Sequence, residues 1–324
     1  MLDVIIPAKD AQNLIDRLLS SLNIQIGCKF KVTIVNDNPV TGTYKENIRK
    51  FPNLDIQEIS YGENRGCGWA RQYGIDHTDG DIIVFADTDD YFCSDTALFN
   101  LTKDYKDDED LVTVVSPMQV YDNGHLLLKQ DGTEIWLHGK SYKRSFIEEH
   151  HITFYPNSMG EDAGWNRQVF LNAEVFDKKV GTISVPTYTW TDFNKENRIN
   201  TIKFAMFESK KGLIDNMLHV IRNANINNLP REKIIHNTIS FMLDLYAHYI
   251  IFLSNEERFT QKELDDYLHW CLPIYNFIKN DLEPMEMMEG GALEKIYQFY
   301  QGGIRYTGIK CSLQEFFDKL SQLT

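Results

Sequence analysis

Two acidic signatures contain the residues best suited to chemistry. The first, Asp87-Thr88-Asp89-Asp90, follows the apolar run 82–86, so its carboxylates emerge from the end of a buried strand. Asp87 and Asp89 supply hard oxygen donors, which suit Mg²⁺ or Mn²⁺ bridging a diphosphate. An acidic loop that caps the next helix is the alternative. The strand pattern before these residues favours the metal site.

The second signature, Gly160-Glu161-Asp162, comes just before the helical stretch 165–171. Because a helix N-terminus favours negative charge, a carboxylate in the first turn could stay ionised and act as a base toward an acceptor hydroxyl. Simple complementarity to the helix dipole explains the same acids, and their spacing does not separate the two interpretations. Metal ligands and a separate base would fit transfer of a group from a diphosphate-activated donor to a hydroxyl.

The elements that must position these acids form an α/β pattern. Up to about residue 115, short apolar runs alternate with amphipathic segments, which predicts mostly parallel strands joined by helices. The first strand ends at Pro7 and Ala8, and the strand 31–36 ends before Asp37. Ligands bind such sheets at the carboxyl ends of strands, so these residues could line a nucleoside pocket. Asp37 could also cap the following helix.

Asn64 and Gly66 lie in a glycine-rich segment that enters a helix predicted over 69–77. Glycine allows close approach of a ligand, and a helix N-terminus favours anions. The glycine spacing matches neither the dinucleotide fingerprint nor the phosphate-binding loop. Arg71, on this helix, could contact an anion or be an ordinary surface side chain.

The second half of the chain has a different character. Asn123-Gly124 predicts a hairpin, so the sheet becomes mixed. Beyond Trp190, long helical patterns replace strands. We therefore predict a catalytic α/β domain over 1–200 and an α-helical subdomain over 201–324 that binds the acceptor or forms a homo-oligomer.

Composition narrows the function classes. The chain has 324 residues and a net charge of -14, which disfavours a nucleic-acid partner, although a local basic groove around Lys140, Lys143 and Arg144 stays open. Its five cysteines show no paired metal spacing and are expected to be reduced thiols. The sequence enters a strand pattern directly and has no run of about 18 apolar residues, which predicts a cytoplasmic protein without a membrane span.

Several motifs, taken together and in order, resemble the family 2 inverting glycosyltransferases of the GT-A type. The motifs are Val4-Ile5-Ile6-Pro7, Val35-Asn36-Asp37, Asn64-Arg65-Gly66, Ala70-Arg71, Asp87-Thr88-Asp89-Asp90, the segment 139–146, Gly160-Glu161-Asp162 and Tyr188-Thr189-Trp190. The resemblance covers roughly residues 1 to 200. It implies a GT-A (Rossmann-like) sheet and single displacement, in which an acceptor hydroxyl attacks the anomeric carbon and a nucleoside diphosphate leaves.

The resemblance also implies roles for individual residues. Asp162 would be the base, supported by Glu161, and Asp89 and Asp87 would hold Mn²⁺ or Mg²⁺. Residues that would bind the nucleotide are Pro7, Ala8, Asp37, Asn64, Gly66, Arg71, Asp87 and Thr88. Asn197 and Arg198 would belong to a segment that folds over the diphosphate.

The predicted function is hexosyl or N-acetylhexosaminyl transfer from a donor, UDP-linked as is commonest in this family, to a hydroxyl of a surface glycan or similar glycoconjugate. Two rivals stay open. A nucleotidyltransferase would need a glycine-rich basic loop after the first strand, and Pro7-Ala8-Lys9-Asp10-Ala11 lacks those glycines. A non-catalytic nucleotide-sugar-binding or scaffold protein on the same fold would not need both acidic signatures.

Overall fold

The computed structural model describes residues 1–122, 125–129, 136–156, 159–191, 207, 209–282, 285–301 and 307–323. The chain forms two compact units, Met1–Glu196 and Asn197–Thr324. We refer to them as the N-terminal and the C-terminal unit. Among the described residues, no helix is both long and apolar enough to cross a membrane.

Two sheets and six helices make up the described part of the N-terminal unit. The strands are β1 (Leu2–Ala8), β2 (Phe30–Asn36), β3 (Ile56–Ser60), β4 (Ile82–Phe85), β5 (Tyr91–Phe92), β6 (Leu111–Val115), β7 (Met118–Asp122), β8 (His125–Lys129), β9 (Lys140–Lys143), β10 (Lys179–Thr182) and β11 (Tyr188–Thr191). The helices are α1 (Asp16–Asn23), α2 (Lys45–Arg49), α3 (Cys67–Asp76), α4 (Ala97–Thr102), α5 (Arg144–Glu149) and α6 (Glu161–Val175). A 3-10 helix covers Lys103–Lys106.

The main sheet has seven strands in the order β10-β6-β9-β4-β1-β2-β3, and the second has the order β5-β11-β7-β8. In the main sheet β1 pairs in parallel with β2 and β4, whereas β9 runs antiparallel to β4 and β6. The predicted mixed, mostly parallel sheet is confirmed. Because β9 is reversed, its first residues lie at the edge where β1, β2 and β4 end.

Both faces of the main sheet are covered by apolar clusters. Val4 and Ile6 belong to one cluster and Ile5 to the other, as expected for alternate residues of a strand buried on both sides. In the second cluster Trp165 of α6 is fully buried, and its ring stacks on Phe154 at a centroid distance of 4.3 Å. It also meets Phe85 edge-on. This packing fixes the start of α6 against the end of β4.

The described C-terminal unit is helical, as predicted. Its helices are α7 (Ser209–Ile226), α8 (Arg231–Ser254), α9 (Gln261–Ile278), α10 (Met285–Gln301) and α11 (Leu313–Gln322), with a 3-10 helix at Glu256–Arg258. Capping boxes begin α9 at Thr260 and α11 at Ser312. Gly290-Gly291 lies in the middle of α10, although such a pair is typical of a helix end.

The predicted hairpin is confirmed as the antiparallel pair β7 and β8, and its turn residues Asn123 and Gly124 lie outside the described residues. The helix predicted over 69–77 is α3. Strand β9, in contrast, is not predicted, because Lys140-Ser141-Tyr142-Lys143 lacks the apolar alternation of a strand.

Candidate active site

Arg71 brings the two acidic signatures together. Its side chain is buried on α3, and Nη1 donates to Glu161 Oε1 at 2.9 Å and to Asp162 Oδ1 at 2.8 Å. Nη2 donates to Asp87 Oδ1 at 2.9 Å. Charge-assisted bonds from one planar guanidinium fix the orientation of all three carboxylates. The two signatures, distant in sequence, therefore form one site.

Local structure explains why Arg71 reaches these acids. Asp87 lies just beyond the end of β4, and Glu161 and Asp162 occupy the first turn of α6. Helix α3 packs closely on β1, because a Cβ at Gly74 would lie only 2.4 Å from Ile5 Cγ2. Only glycine allows this approach. Arg71 is one turn earlier on α3 and points to the carboxyl edge of the sheet.

His138 is a functional candidate that sequence analysis missed. Its Nε2 lies 3.1 Å from Asp87 Oδ2 and 3.6 Å from Asp90 Oδ2, and the side chain is buried. Val84 faces Ser141 in the antiparallel pairing of β4 with β9, and the same register carried outward places His138 opposite Asp87. Without β9 in the prediction, that signal could not be used.

Asp87, Asp90 and His138 form a cluster whose ligand atoms all lie within 4.8 Å of one another. Asp90 Oδ1 accepts from the Thr191 amide at 2.8 Å, whereas Oδ2 is buried and has no hydrogen-bond partner among the described residues. Two carboxylates and an imidazole suit Mn²⁺ or another divalent cation. The cluster contains Asp87 but not the carboxylate of Asp89, whose backbone oxygen instead accepts from Arg17 and Thr191.

The charges of the site shift several pKa values. Burial raises the pKa of Asp90 to about 8. Burial opposes charge on His138 too, but hydrogen bonding and attraction to Asp87 outweigh it and raise the His138 pKa to about 9. Burial also raises the pKa of Asp87, but the nearby Arg71 and His138 more than offset this and hold it well below its usual range.

Asp162 has a pKa suited to proton transfer near neutrality. Burial raises the Asp162 pKa to about 6 against the lowering effect of Arg71, and the Glu161 charge adds to the rise. The Glu161 side chain is 8% exposed and that of Asp162 is 21% exposed. Glu161 Oε1 also accepts from the Cys67 thiol at 2.7 Å. Asp162 is therefore the more accessible of the two acids.

The predicted nucleoside-side residues lie at the same edge of the sheet. The Asp37 amide donates to the Ala8 oxygen at 2.8 Å, so the ends of β1 and β2 are adjacent, and Pro7 pairs with Val35. The Asp37 carboxylate is buried and accepts from Tyr61 Oη and from the amides of Arg65 and Gly66. It thus holds the loop that leads into α3, a role close to the capping alternative.

The remaining predicted residues give less information. Asn64 Oδ1 accepts from the Gly66 amide at 3.2 Å, which tightens the loop before α3. Thr88 is partly buried between Asp87 and the predicted metal ligand Asp89. Asn197 and Arg198 lie outside the described residues. Their predicted closure over a diphosphate stays a prediction.

Known structures define the class of this fold as GT-A. S. aureus TarS residues 1–349 in complex with UDP-GlcNAc superimposes with a TM-score of 0.57 at 17% identity, over 94% of this chain and 93% of that one. Mannosyltransferase PcManGT from Pyrobaculum calidifontis, in complex with GDP-Man and Mn²⁺, gives a TM-score of 0.53 at 15% identity, over 99% and 86%.

Sequence comparison finds glycosyltransferases as well. Residues 3–160, within the N-terminal unit, match the model of glycosyl transferase family 2. Glycosyltransferase GlyA of Streptococcus pneumoniae is 26% identical over 199 residues, which are 53% of this chain and 28% of GlyA. EpsH of Bacillus subtilis, also described as a glycosyltransferase, is 22% identical over 267 residues, which are 74% of this chain and 76% of EpsH.

Proposed function

We propose that this protein is a metal-dependent, inverting glycosyltransferase that moves a sugar from a nucleoside diphosphate sugar to an acceptor hydroxyl. The observation that carries the proposal is the position of Arg71 between the acid that ends β4 and the two acids that begin α6. A single guanidinium sets the spacing between a nucleotide-side carboxylate and a base. The match of residues 3–160 to the model of glycosyl transferase family 2 supports the same reaction.

In the proposed reaction Asp162 accepts the proton of the acceptor hydroxyl while that oxygen attacks the anomeric carbon. The bond from the anomeric carbon to the diphosphate oxygen breaks in the same displacement, so the configuration inverts. The greater exposure of Asp162 favours it over Glu161 as the base. Arg71 orients the Asp162 carboxylate, and Glu161, bonded to Arg71 and Cys67, holds Arg71 in place.

The donor atoms at the end of β4 fit a divalent cation. The buried Asp90 Oδ2 lacks a hydrogen-bond partner among the described residues and lies close to His138 Nε2. A bound Mn²⁺ or Mg²⁺ would neutralise charge on the departing diphosphate. Imidazole tilts the preference toward Mn²⁺. We propose Asp87, Asp90 and His138 as its ligands, with Asp89, the sequence prediction, to be compared by substitution.

For the donor we propose a UDP-linked hexose or N-acetylhexosamine, bound by the ends of β1 and β2 and by the loop at Gly66. The complexes of TarS with UDP-GlcNAc and of PcManGT with GDP-Man are the reason to compare UDP and GDP donors directly. For the acceptor we propose a hydroxyl of a surface glycan or similar glycoconjugate. The C-terminal unit would contribute to acceptor binding or oligomerisation.

The first experiment is a thermal-shift screen of UDP-GlcNAc, UDP-glucose and GDP-mannose, each with Mn²⁺ or with EDTA. A ligand at about 100 times its Kd raises the free energy of unfolding by about 2.7 kcal/mol, which shifts Tm by several degrees. We expect a UDP sugar to give this shift only with Mn²⁺. If none of the donors raises Tm in Mn²⁺, the nucleotide-sugar assignment is wrong.

Turnover is then measured as hydrolysis or transfer of the donor that binds. Asp162→Asn preserves size and removes the base, so it should keep the thermal shift and lose turnover by roughly 10² to 10⁴-fold. NMR of the product from an α-linked donor should show a β linkage. Wild-type turnover in Asp162→Asn would refute the mechanism, and donor binding by the wild type without any turnover would favour the non-catalytic alternative.

A further inference from the structure

The N-terminal unit has a second concavity. It lies at the opposite ends of the main-sheet strands from the candidate active site. It is a cavity of about 1080 Å³ lined by the first residues of β1 and β4, the last residue of β9, α4 and the 3-10 helix Lys103–Lys106. Ile82, in its wall, begins β4, and Asp87 lies just beyond the other end of this strand, about 17 Å away at the usual rise per residue. The cavity is thus separate from the acidic site.

Three lysines give this cavity its charge. Lys29, Lys103 and Lys106 line it, and none of their ammonium groups forms an ion pair with another described residue. Residues three apart in a 3-10 helix eclipse each other, so Lys103 and Lys106 point the same way. Asp104, between them, does not line the cavity.

The acids in the wall are already paired. Asp79 lies 3.8 Å from Lys31 Nζ, Asp81 pairs with the amino group of Met1, and Glu148 lies 3.8 Å from an Arg144 nitrogen. The lysines therefore leave an excess of positive charge. The whole chain has a net charge of -14, so the charge of this cavity is opposite in sign to that of the chain.

Of the basic groove that the sequence suggested around Lys140, Lys143 and Arg144, the last two also line this cavity, but all three are bonded within the fold. Lys140 is buried and donates to the Trp136 oxygen at 2.5 Å, and Lys143 Nζ donates to the Glu109 oxygen at 2.6 Å. Arg144 donates to backbone oxygens and to Asp3. The predicted groove residues are thus engaged within the fold. The cavity lysines without an ion pair in the described part of the chain come from the loop before β2 and from the 3-10 helix.

The wall also has an apolar part. The Phe99 ring, 37% exposed, lines the cavity together with Leu2 and Ile82. Gly27 lies flush against this ring, since a Cβ there would be 3.0 Å from Phe99 Cγ. A ligand that enters can thus place a ring or a carbon chain on Phe99 while its charge meets the lysines.

We propose that this cavity binds a phosphate ester of a sugar or polyol. Lysine ammonium groups are compact point charges that bind phosphate, and the apolar wall accommodates the carbon skeleton. The volume is slightly above the usual range for ligand pockets and far exceeds what inorganic phosphate fills. Concavity favours such a ligand over a flat bilayer surface. The site is independent of the proposed catalytic reaction.

The test is isothermal titration of the full chain with glucose 6-phosphate, glycerol 3-phosphate and inorganic phosphate in low-salt buffer. We expect both esters to bind with Kd below roughly 1 mM, more tightly than inorganic phosphate. The double variant Lys103→Glu/Lys106→Glu should weaken ester binding at least tenfold, and Phe99→Ala should weaken the esters but not inorganic phosphate. Lys45→Glu, an exposed lysine on α2 outside the cavity, is the matched control and should change binding less than twofold.

Saturation of the candidate active site with a UDP sugar and Mn²⁺ separates the two sites, because it should leave ester binding unchanged. Ester binding that survives the double variant, or that the UDP sugar with Mn²⁺ abolishes, would overturn the assignment. So would equal affinity for inorganic phosphate and the esters. Co-sedimentation with phosphatidylglycerol vesicles in the absence of ester binding would identify a lipid surface instead and would also overturn it. Circular dichroism of each lysine variant confirms that these exposed changes leave the fold intact.

Discussion

Replacing Arg71 with Met tests the link between the two acidic signatures most directly. The change removes one cation that donates to Asp87, Glu161 and Asp162, and leaves three neighbouring carboxylates without it. Breaking a buried ion pair from one side costs about 3 to 5 kcal/mol. The side chains of Asp87 and Asp162 are 31% and 21% exposed, so water compensates in part. We expect a loss of about 3 kcal/mol at pH 8.

The loss should depend on pH in a defined direction. Arg71 lowers the pKa of Asp87 and of Asp162, so both pKa values rise in the variant. As pH falls, the folded variant therefore binds more protons than the folded wild type does. This proton binding stabilises the folded variant, so the difference in free energy of unfolding between variant and wild type shrinks. Urea unfolding at pH 8 and pH 5.5, with EDTA present, measures this difference. Turnover should fall by at least about 10²-fold, because the base loses its orientation.

The matched control is Arg65→Met. Arg65 pairs with the exposed Glu63 and lies over the Trp69 ring, so its loss should cost under about 1 kcal/mol at either pH. The opposing hypothesis is that Arg71 mainly contacts the nucleotide, as the sequence suggested. In that case Arg71→Met would unfold like the wild type and weaken only donor binding. Equal destabilisation at both pH values would also refute the reasoning.

Three further predictions address the base, the metal and the backbone. The wild-type kcat/KM should fall tenfold per pH unit below an apparent pKa of about 6, because Asp162 must be ionised to accept a proton, and a pH–rate profile checks this. His138→Ala should weaken Mn²⁺ binding, measured by electron paramagnetic resonance, roughly tenfold or more, and a larger effect of Asp89→Asn would restore the sequence prediction. Gly139→Ala should destabilise the fold by about 1 to 3 kcal/mol in urea unfolding, since Gly139 has φ +68° and the new Cβ would lie 2.7 Å from Ser116 Oγ; an unchanged midpoint would contradict this.

The sequence predicts much of the fold because local patterns and long-range packing agree in it. Strand β1 is apolar on both faces and the sheet buries both, so the period of its side chains is sufficient evidence. Strand β9 is different. Its Lys140 and Ser141 are buried, and they donate hydrogen bonds to the backbone oxygens of Trp136 and Leu101. The sequence of the strand itself does not reveal these partners. Its polar composition therefore conceals a central strand.

The site shows the same limit. The acids can be named from their position after a strand and at a helix start, but the partner of each acid depends on tertiary structure. Arg71 is an example. From the sequence, a side chain on a helix that follows a glycine-rich loop could contact either an anion or solvent. The close packing of α3 on β1 at Gly74 is what directs Arg71 to three carboxylates. The Asp37 carboxylate likewise accepts three hydrogen bonds from residues that precede α3. The sequence alone does not identify these donors.

Reversal of β9 gives the acidic site a component that a purely parallel sheet would lack. In parallel strands only the residues after each strand reach the carboxyl edge, and in this chain those residues supply acids. An antiparallel strand brings the residues before it to the same edge, and here they supply an imidazole, His138, beside Asp87. At the other end of the same two strands lies the lysine-lined cavity. The strand direction thus separates an anionic, cation-seeking edge from a cationic one within a single sheet, so substitutions at either edge can be tested without altering the charge of the other.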